Sequence, residues 1–276
     1  MSNNHLLHSS VAMIIKNASP IIWYIPGLYS ADDPQEKALQ LLQTIYPKAE
    51  EITNITWENQ NGKNIKLDSV VLKGSAVAIN DPNLVSNLLK YALDAVGSIT
   101  DRWTKALDDV KPTAELLAKK IANDLSSRQR QKLILIGHSL GGNIVIRTLA
   151  NLHHKNLKIN SAVLLAAAID NTDHNILLAP NGAQNPIFSM INPDDTALKI
   201  YQAVTGASAL GTGCKLRYDV SRFVERLTTE YLGHSSEFYL SQWAKVNNIN
   251  KDLDPFPFFL LENVKKQLDK IRKFRQ

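Results

Sequence analysis

The sequence holds a single cysteine, Cys214. One cysteine excludes an intramolecular disulfide and any Cys-based zinc cluster, and it is compatible with a reducing compartment. No histidine lies near it, so it reads as an ordinary buried thiol. Aromatic residues are scarce at 7%, and 12 Gly with 11 Pro is ordinary usage, which excludes collagenous, low-complexity and disordered classes. Long hydrophobic runs are also missing: Ile21 to Pro26 and Ala162 to Ile169 fall well short of the roughly 20 residues a spanning helix needs. Neither GxGxxG nor GxxxxGK occurs, so a nucleotide-binding reading has no motif to stand on. The opening segment MSNNHLLHSSVAMIIKNASP places its first lysine, Lys16, after rather than before a short apolar patch. That order is not that of a secretory signal, and the expectation is a soluble cytoplasmic protein.

An excess of charge over the body of the chain is absent as well. The formal net charge is +5, but residues 265–276 (KKQLDKIRKFRQ) carry six basic residues against Asp269, leaving 25 basic and 25 acidic residues before them. A nucleic-acid groove needs Lys and Arg spread over one face of the fold, so no nucleic-acid partner is expected.

What is present is a chain of 276 residues with 44% hydrophobic composition, enough for one large domain over 1–276. Short apolar, β-branched runs predict strands at Pro20 to Ile25, Glu51 to Trp57, Lys132 to Ile136, Ser161 to Ala167, Pro186 to Ile191 and Tyr218 to Leu227. Helical patterns lie between them. Asp33, Pro34 and Glu36 give an N-cap, a first-turn proline and a capping-box acid ahead of Leu39, Leu42 and Tyr46. A second helix opens at Pro112, with Leu117, Ile121 and Leu125 on one stripe; Asn143 to Leu152 and Thr196 to Val204 supply two more. The alternation predicts an α/β fold: a mostly parallel central sheet of about six strands flanked by helices.

Residues 60–111 exceed a simple crossover, and from Asp81-Pro82 they carry Leu84, Val85, Leu88, Leu89, Ala92 and Val96 in an amphipathic pattern. This is a helical insertion, either a cap over the site or a second layer on the core. The loops Asn181 to Asn185 and Gly206 to Gly213 contain glycine and read as mobile segments.

After the strand KLILI comes Gly137-His138-Ser139-Leu140-Gly141, followed by Gly142 and the helix NIVIRTLANL. The bare pattern GxSxG is weak, but strand–turn–helix is the setting a nucleophile elbow requires. Ser139 must sit on a strained turn, where side chains two residues away on either side would collide; hence Gly137 and Gly141. The helix starting beyond the serine turns its first amides and its dipole toward a developing oxyanion.

With these residues the chain resembles the α/β-hydrolase superfamily, particularly its lipase and serine-esterase branches, from about Pro20 to about Lys245. The resemblance implies a serine, an acid and a histidine in that chain order, with no cofactor and no metal. His5 and His8 precede the serine, His138 is inside the elbow, and His153 and His154 lie on the helix leaving it. His174 and His234 remain, and His234, after the last strand and just before a helix opening at Ser235, stands where the family places its base. The acid is expected after PIFSMI, in Asn192-Pro193-Asp194-Asp195. Asp195 with Leu198 three positions on fits the family pattern, and Asp194 is left to cap the helix. Some lipases place the acid one strand earlier, where Asp170 is the alternative. The oxyanion donors implied are the backbone amides of Leu140 and of Leu28, the latter in Ile25-Pro26-Gly27-Leu28-Tyr29, where Pro26-Gly27 replaces the frequent His-Gly.

The implied activity is hydrolysis of a small-molecule or lipid carboxylic ester by Ser139, His234 and Asp195. Thioesterase, amidase and acyltransferase chemistry share this triad, and a catalytically silent module that binds a ligand or protein partner is the reading from a different class. Residues 255–276 combine an apolar stretch with Val264, Leu268 and Ile271 at helical spacing among basic residues. Such a basic amphipathic tail either packs on the domain, the expected outcome, or contacts an anionic membrane surface.

Overall fold

Runs such as IIWYI and LILIGH offer no polar face to water, so the strands they form must be covered on both sides. The computed structural model describes residues 19–27, 36–57, 66–69, 96–213, 223–227 and 234–246. Its strands are β1 (Ile21–Ile25), β2 (Glu51–Thr56), β3 (Lys66–Ser69), β4 (Leu133–His138), β5 (Ser161–Leu165), β6 (Ile187–Ile191) and β7 (Phe223–Leu227). Every residue of β1, β4, β5 and β6 is buried. The helices are α1 (Glu36–Ile45), α2 (Val96–Asp124), α3 (Ser127–Arg130), α4 (Leu140–His154), α5 (Asn175–Leu178), α6 (Thr196–Thr205) and α7 (Ser236–Val246).

The seven strands form one sheet in the order β3-β2-β1-β4-β5-β6-β7. The six expected strands are all present and mutually parallel. The seventh, β3, was not expected. It pairs antiparallel with β2, Thr53 opposite Ser69 and Thr56 opposite Lys66, and its sequence KLDS is too short and too polar to read as a strand. An edge strand needs no apolar run, because only one side of its backbone is paired and its ends reach water.

The chain steps from β1 to β2 in one direction across the sheet and from β4 through β5 and β6 to β7 in the other. Because parallel crossovers are right-handed, this reversal puts α1 and α4 on opposite faces. On its face α1 packs with α7, and on the other α4 packs with α2. The reversal also opens a crevice beyond the carboxyl ends of β1 and β4, where an open sheet of this kind places its ligands.

The helix expected to begin at Pro112 is instead the second half of α2, a helix of 29 residues with Pro112 inside it. Packing overrides the proline: Trp103, Ala106, Val110, Ala114, Leu117, Ala118 and Ile121 form one buried stripe that runs past it. Pro112 and Asp108 are both exposed, and the proline leaves the carbonyl of Asp108 without its i+4 donor. At about 1.5 Å per residue α2 is roughly twice as long as β4. In its amino-terminal half Trp103 meets Tyr201 of α6, ring centroids 5.8 Å apart.

The insertion over 60–111 is therefore part sheet edge and part long helix. The remainder, including the stripe from Leu84, lies outside the described residues, as do the cap residues Asp33 and Pro34, Cys214 and the tail 255–276. The two glycine-containing loops are packed rather than loose. Ala179–Gly182 and Leu210–Thr212 form 3-10 turns, and a Cβ on Gly182 would stand 2.1 Å from the Leu149 carbonyl oxygen. Among the described residues no helix is long and apolar enough to cross a membrane.

The exposed proline carries a stability prediction. Pro112→Ala restores the hydrogen bond to Asp108 at no loss of packing, and thermal denaturation should show a gain of about 1–3 kcal/mol. That corresponds to a rise in Tm of roughly 2–4 °C per kcal/mol for a chain of this size. An unchanged or lower Tm would mean that α2 needs the proline to hold its course over the sheet.

Candidate active site

Ser139 is the single residue between β4 and α4, and its backbone is left-handed, φ 54° and ψ −120°. A non-glycine residue there is strained by on the order of 1–3 kcal/mol. The neighbours hold it: its N–H donates to the Leu165 carbonyl at 2.9 Å, and its carbonyl accepts from Gly142 at 3.0 Å and Ala168 at 2.9 Å. The glycines do what the spacing requires. A Cβ on Gly137 would lie 2.5 Å from the Gly141 carbonyl oxygen, and one on Gly141 only 2.0 Å from that of Ile25. Leu140, whose amide was assigned to the oxyanion, is the first residue of α4 and is buried. Leu28, assigned the second amide, lies outside the described residues. Gly27 beside it packs on the elbow, since a Cβ there would meet Ser139 Cβ at 2.8 Å. The carbonyl of Pro26 accepts from the buried Trp57 Nε1 at 2.8 Å, which ties this loop to the end of β2.

The carboxyl end of β6 leads into Asn192-Pro193-Asp194-Asp195. Asp195 is fully buried. Its Oδ1 accepts from the Leu198 amide at 3.1 Å, so Asp195 caps α6 itself. The cap expected of Asp194 is thus a correction: Asp194 is exposed and pairs with Lys199 at 3.3 Å. The second oxygen of Asp195, Oδ2, accepts from His234 Nδ1 at 2.7 Å. Burial alone would raise the pKa of Asp195, but the facing His234, its hydrogen bond and those from Tyr239 and Leu198 hold the carboxyl below its ordinary range. Asp170 is engaged elsewhere, accepting from the Thr172 amide and hydroxyl at 2.8 Å each. His174 is exposed at the start of α5.

With Nδ1 paired to Asp195, the remaining ring nitrogen of His234 is Nε2. That nitrogen is buried and has no hydrogen-bond partner among the described residues. Asp195 and His234 are thus joined directly, whereas Ser139 and His234 share no hydrogen bond. They are brought near through His138, the residue before the serine, whose ring centroid is 4.7 Å from that of His234. A candidate base can lack that contact before a substrate tightens the site.

His138 belongs to the site although chain order removes it from the triad. Its burial, and then the neighbouring His234, push its pKa down to about 3, so it stays neutral. Tyr239 of α7 was not singled out either; its hydroxyl donates to Asp195 Oδ2 at 2.7 Å. No motif marks it, because its partner is 44 positions away in the chain. Among the described residues no group of three or more His, Cys, Asp or Glu is placed to hold a metal ion.

A doubly wound sheet with a strained serine at the end of a central strand, and a carboxylate–imidazole pair supplied after the later strands, defines the chain as an α/β-hydrolase. It belongs to the family described as alpha/beta hydrolase of unknown function (DUF900), whose model matches residues 52–230. Among solved structures, a protein called a cell surface hydrolase from Lactobacillus plantarum WCFS1 is similar at 14% identity, with 89% of this chain and 97% of that chain covered and a TM-score of 0.43. The BES protein from Bacillus cereus is similar at 11% identity over 85% of each chain, with a TM-score of 0.37. No curated protein matches the sequence significantly.

The buried neutral His138 makes stability depend on pH. Its folded pKa of about 3 lies below the ordinary 6.5, so below pH 6.5 the unfolded chain binds a proton that the folded chain refuses. Its contribution is complete above pH 6.5 and is lost as pH falls toward 3, by up to about 1.4 kcal/mol per pH unit. His138→Gln should therefore flatten the fall of Tm between pH 6.5 and pH 4 relative to wild type. Parallel Tm profiles would show that His138 is protonated inside the fold.

Proposed function

We propose that the chain is a serine hydrolase that cleaves carboxylic esters of small-molecule or lipid substrates through Ser139, His234 and Asp195. The observation that carries this reading is the Asp195–His234 hydrogen bond at 2.7 Å beside a serine held at φ 54°. Ser139 Oγ attacks the ester carbonyl while His234 Nε2 accepts its proton. Asp195 keeps the imidazole in the tautomer that leaves Nε2 free and stabilises the imidazolium that forms. The oxyanion of the tetrahedral intermediate is stabilised by the amides of Leu140 and Leu28, the first of them at the positive end of the α4 dipole. His234 then returns the proton to the leaving alcohol, an acyl-Ser139 remains, and a water activated by the same imidazole releases the acid.

Labelling the purified protein with a fluorophosphonate tests the nucleophile directly. Wild type should label at Ser139 and Ser139→Ala should not; folded wild type that never labels would overturn the proposal. Hydrolysis of p-nitrophenyl butyrate should fall by on the order of 10⁴-fold or more in Ser139→Ala and in His234→Ala, with the double variant scarcely worse, because the groups act as a unit. Asp195→Asn should lose roughly 10²–10⁴-fold through the wrong tautomer, while Asp194→Asn and Asp170→Asn keep activity within a few-fold. Damage confined to Asp170→Asn would move the acid one strand earlier.

A further inference from the structure

Three donors converge on Asp195, and the hydrolysis mechanism uses one. The Leu198 amide takes Oδ1, while His234 Nδ1 and Tyr239 Oη both lie 2.7 Å from Oδ2. Tyr239 and Asp195 are both fully buried. A buried phenol needs some acceptor, and a backbone carbonyl would satisfy that need. Here the acceptor is the one oxygen on which the imidazole depends. A donor on a carboxylate oxygen stabilises the anion and draws density from it. The same oxygen then attracts an imidazolium less strongly and is itself harder to protonate.

We propose that Tyr239 is a positioning residue that fixes Asp195 Oδ2 against His234 and holds down the proton affinity of the Asp195–His234 pair. The inference deepens the hydrolase reading, on which its meaning for turnover rests. The hydroxyl braces Oδ2 from α7, the Leu198 amide braces Oδ1 from α6, and the carboxylate plane is thereby set before any substrate arrives.

Among the described residues, the other titratable group facing the pair is His138 of β4, with ring centroids 4.7 Å from His234 and 6.0 Å from Tyr239. It stays neutral above its pKa of about 3. Burial, followed by the Asp195 charge, pushes the Tyr239 phenol far up, so it stays protonated. Asp194 beside the pair is exposed and paired with Lys199. His138 and Tyr239 therefore each keep one protonation state around neutral pH.

Tyr239→Phe removes the donor and keeps the ring that packs against Phe238 with centroids 5.3 Å apart. Without the hydroxyl, Oδ2 becomes the better acceptor, and the pair should gain its proton at higher pH by roughly half a unit to one unit. Two measurements on the full chain read this. One is the acid limb of kcat/KM for p-nitrophenyl butyrate. The other is an NMR titration of the His234 imidazole, assigned by its loss in His234→Gln, which needs no turnover. Site-specific 3-fluorotyrosine in place of Tyr239, a stronger donor of nearly the same size, should move the midpoint the opposite way and covers the case of a Phe variant that folds poorly. An NMR midpoint that rises with Phe and falls with fluorotyrosine supports the inference even in a protein that no fluorophosphonate labels, where only the hydrolase reading fails. A lower Tm with an unmoved midpoint would reduce Tyr239 to a packing residue and overturn it.

Discussion

A carboxylate with no solvent exposure is the constraint on which the site depends. Burying the Asp195 charge would cost several kcal/mol if its oxygens were left unpaired. It is tolerated because three donors from two elements and one loop meet there: the Leu198 amide, His234 Nδ1 and the Tyr239 hydroxyl. The segment that follows β7 is thereby fastened to the start of α6, and the imidazole is fixed in ring orientation and tautomer at once. The interaction that holds these segments together is the same one that sets the His234 ring.

The strain at Ser139 is the second half of the arrangement, and it is sustained by close approach. Gly141 stands against the Ile25 carbonyl, Gly27 against Ser139, and Gly142 against Ala167, whose Cβ would lie 2.7 Å from a Cβ added at Gly142. The loop Ala166 to Ala168 is strained in turn, with Ala166 at φ 49°. Asn143 donates to its Ala168 carbonyl at 3.0 Å and accepts from Arg147 at 2.9 Å, and Arg147 pairs with Asp173. Small residues let the backbones of β1, β4, β5 and α4 meet, and the polar network on α4 keeps the loop from relaxing away from the elbow.

The departures from the sequence pattern share one cause. Pro112 signals a helix start, yet a buried stripe on both sides of it, packed on α4, carries α2 through. KLDS has no strand signal, yet β2 offers it an open edge. The glycine-containing loops look loose until Gly182 is seen against the Leu149 backbone and Gly211 against Ala166 and Ala167. In each case a partner distant in the chain outweighs the local preference.

Local features are legible in the sequence alone. Short apolar runs marked β1, β4, β5 and β6, because a strand buried on both faces has few polar positions to interrupt it. The spacing of Gly137, Ser139 and Gly141 marked the elbow, because its steric demands fall within five consecutive residues. Chain order and place after the late strands pointed to Asp195 and His234 as candidate acid and base, through the family resemblance. The choice among near neighbours and the placement of distant ones come from tertiary contacts: Asp194 faces water while Asp195 faces His234, and Asp170 turns to Thr172. Tyr239 and His138 were not legible as members of the site. Their contacts with Asp195 and His234 exist only once the sheet has brought the ends of β4 and β6 and the start of α7 together, and a hydrogen bond across 44 residues leaves no periodic trace in a sequence.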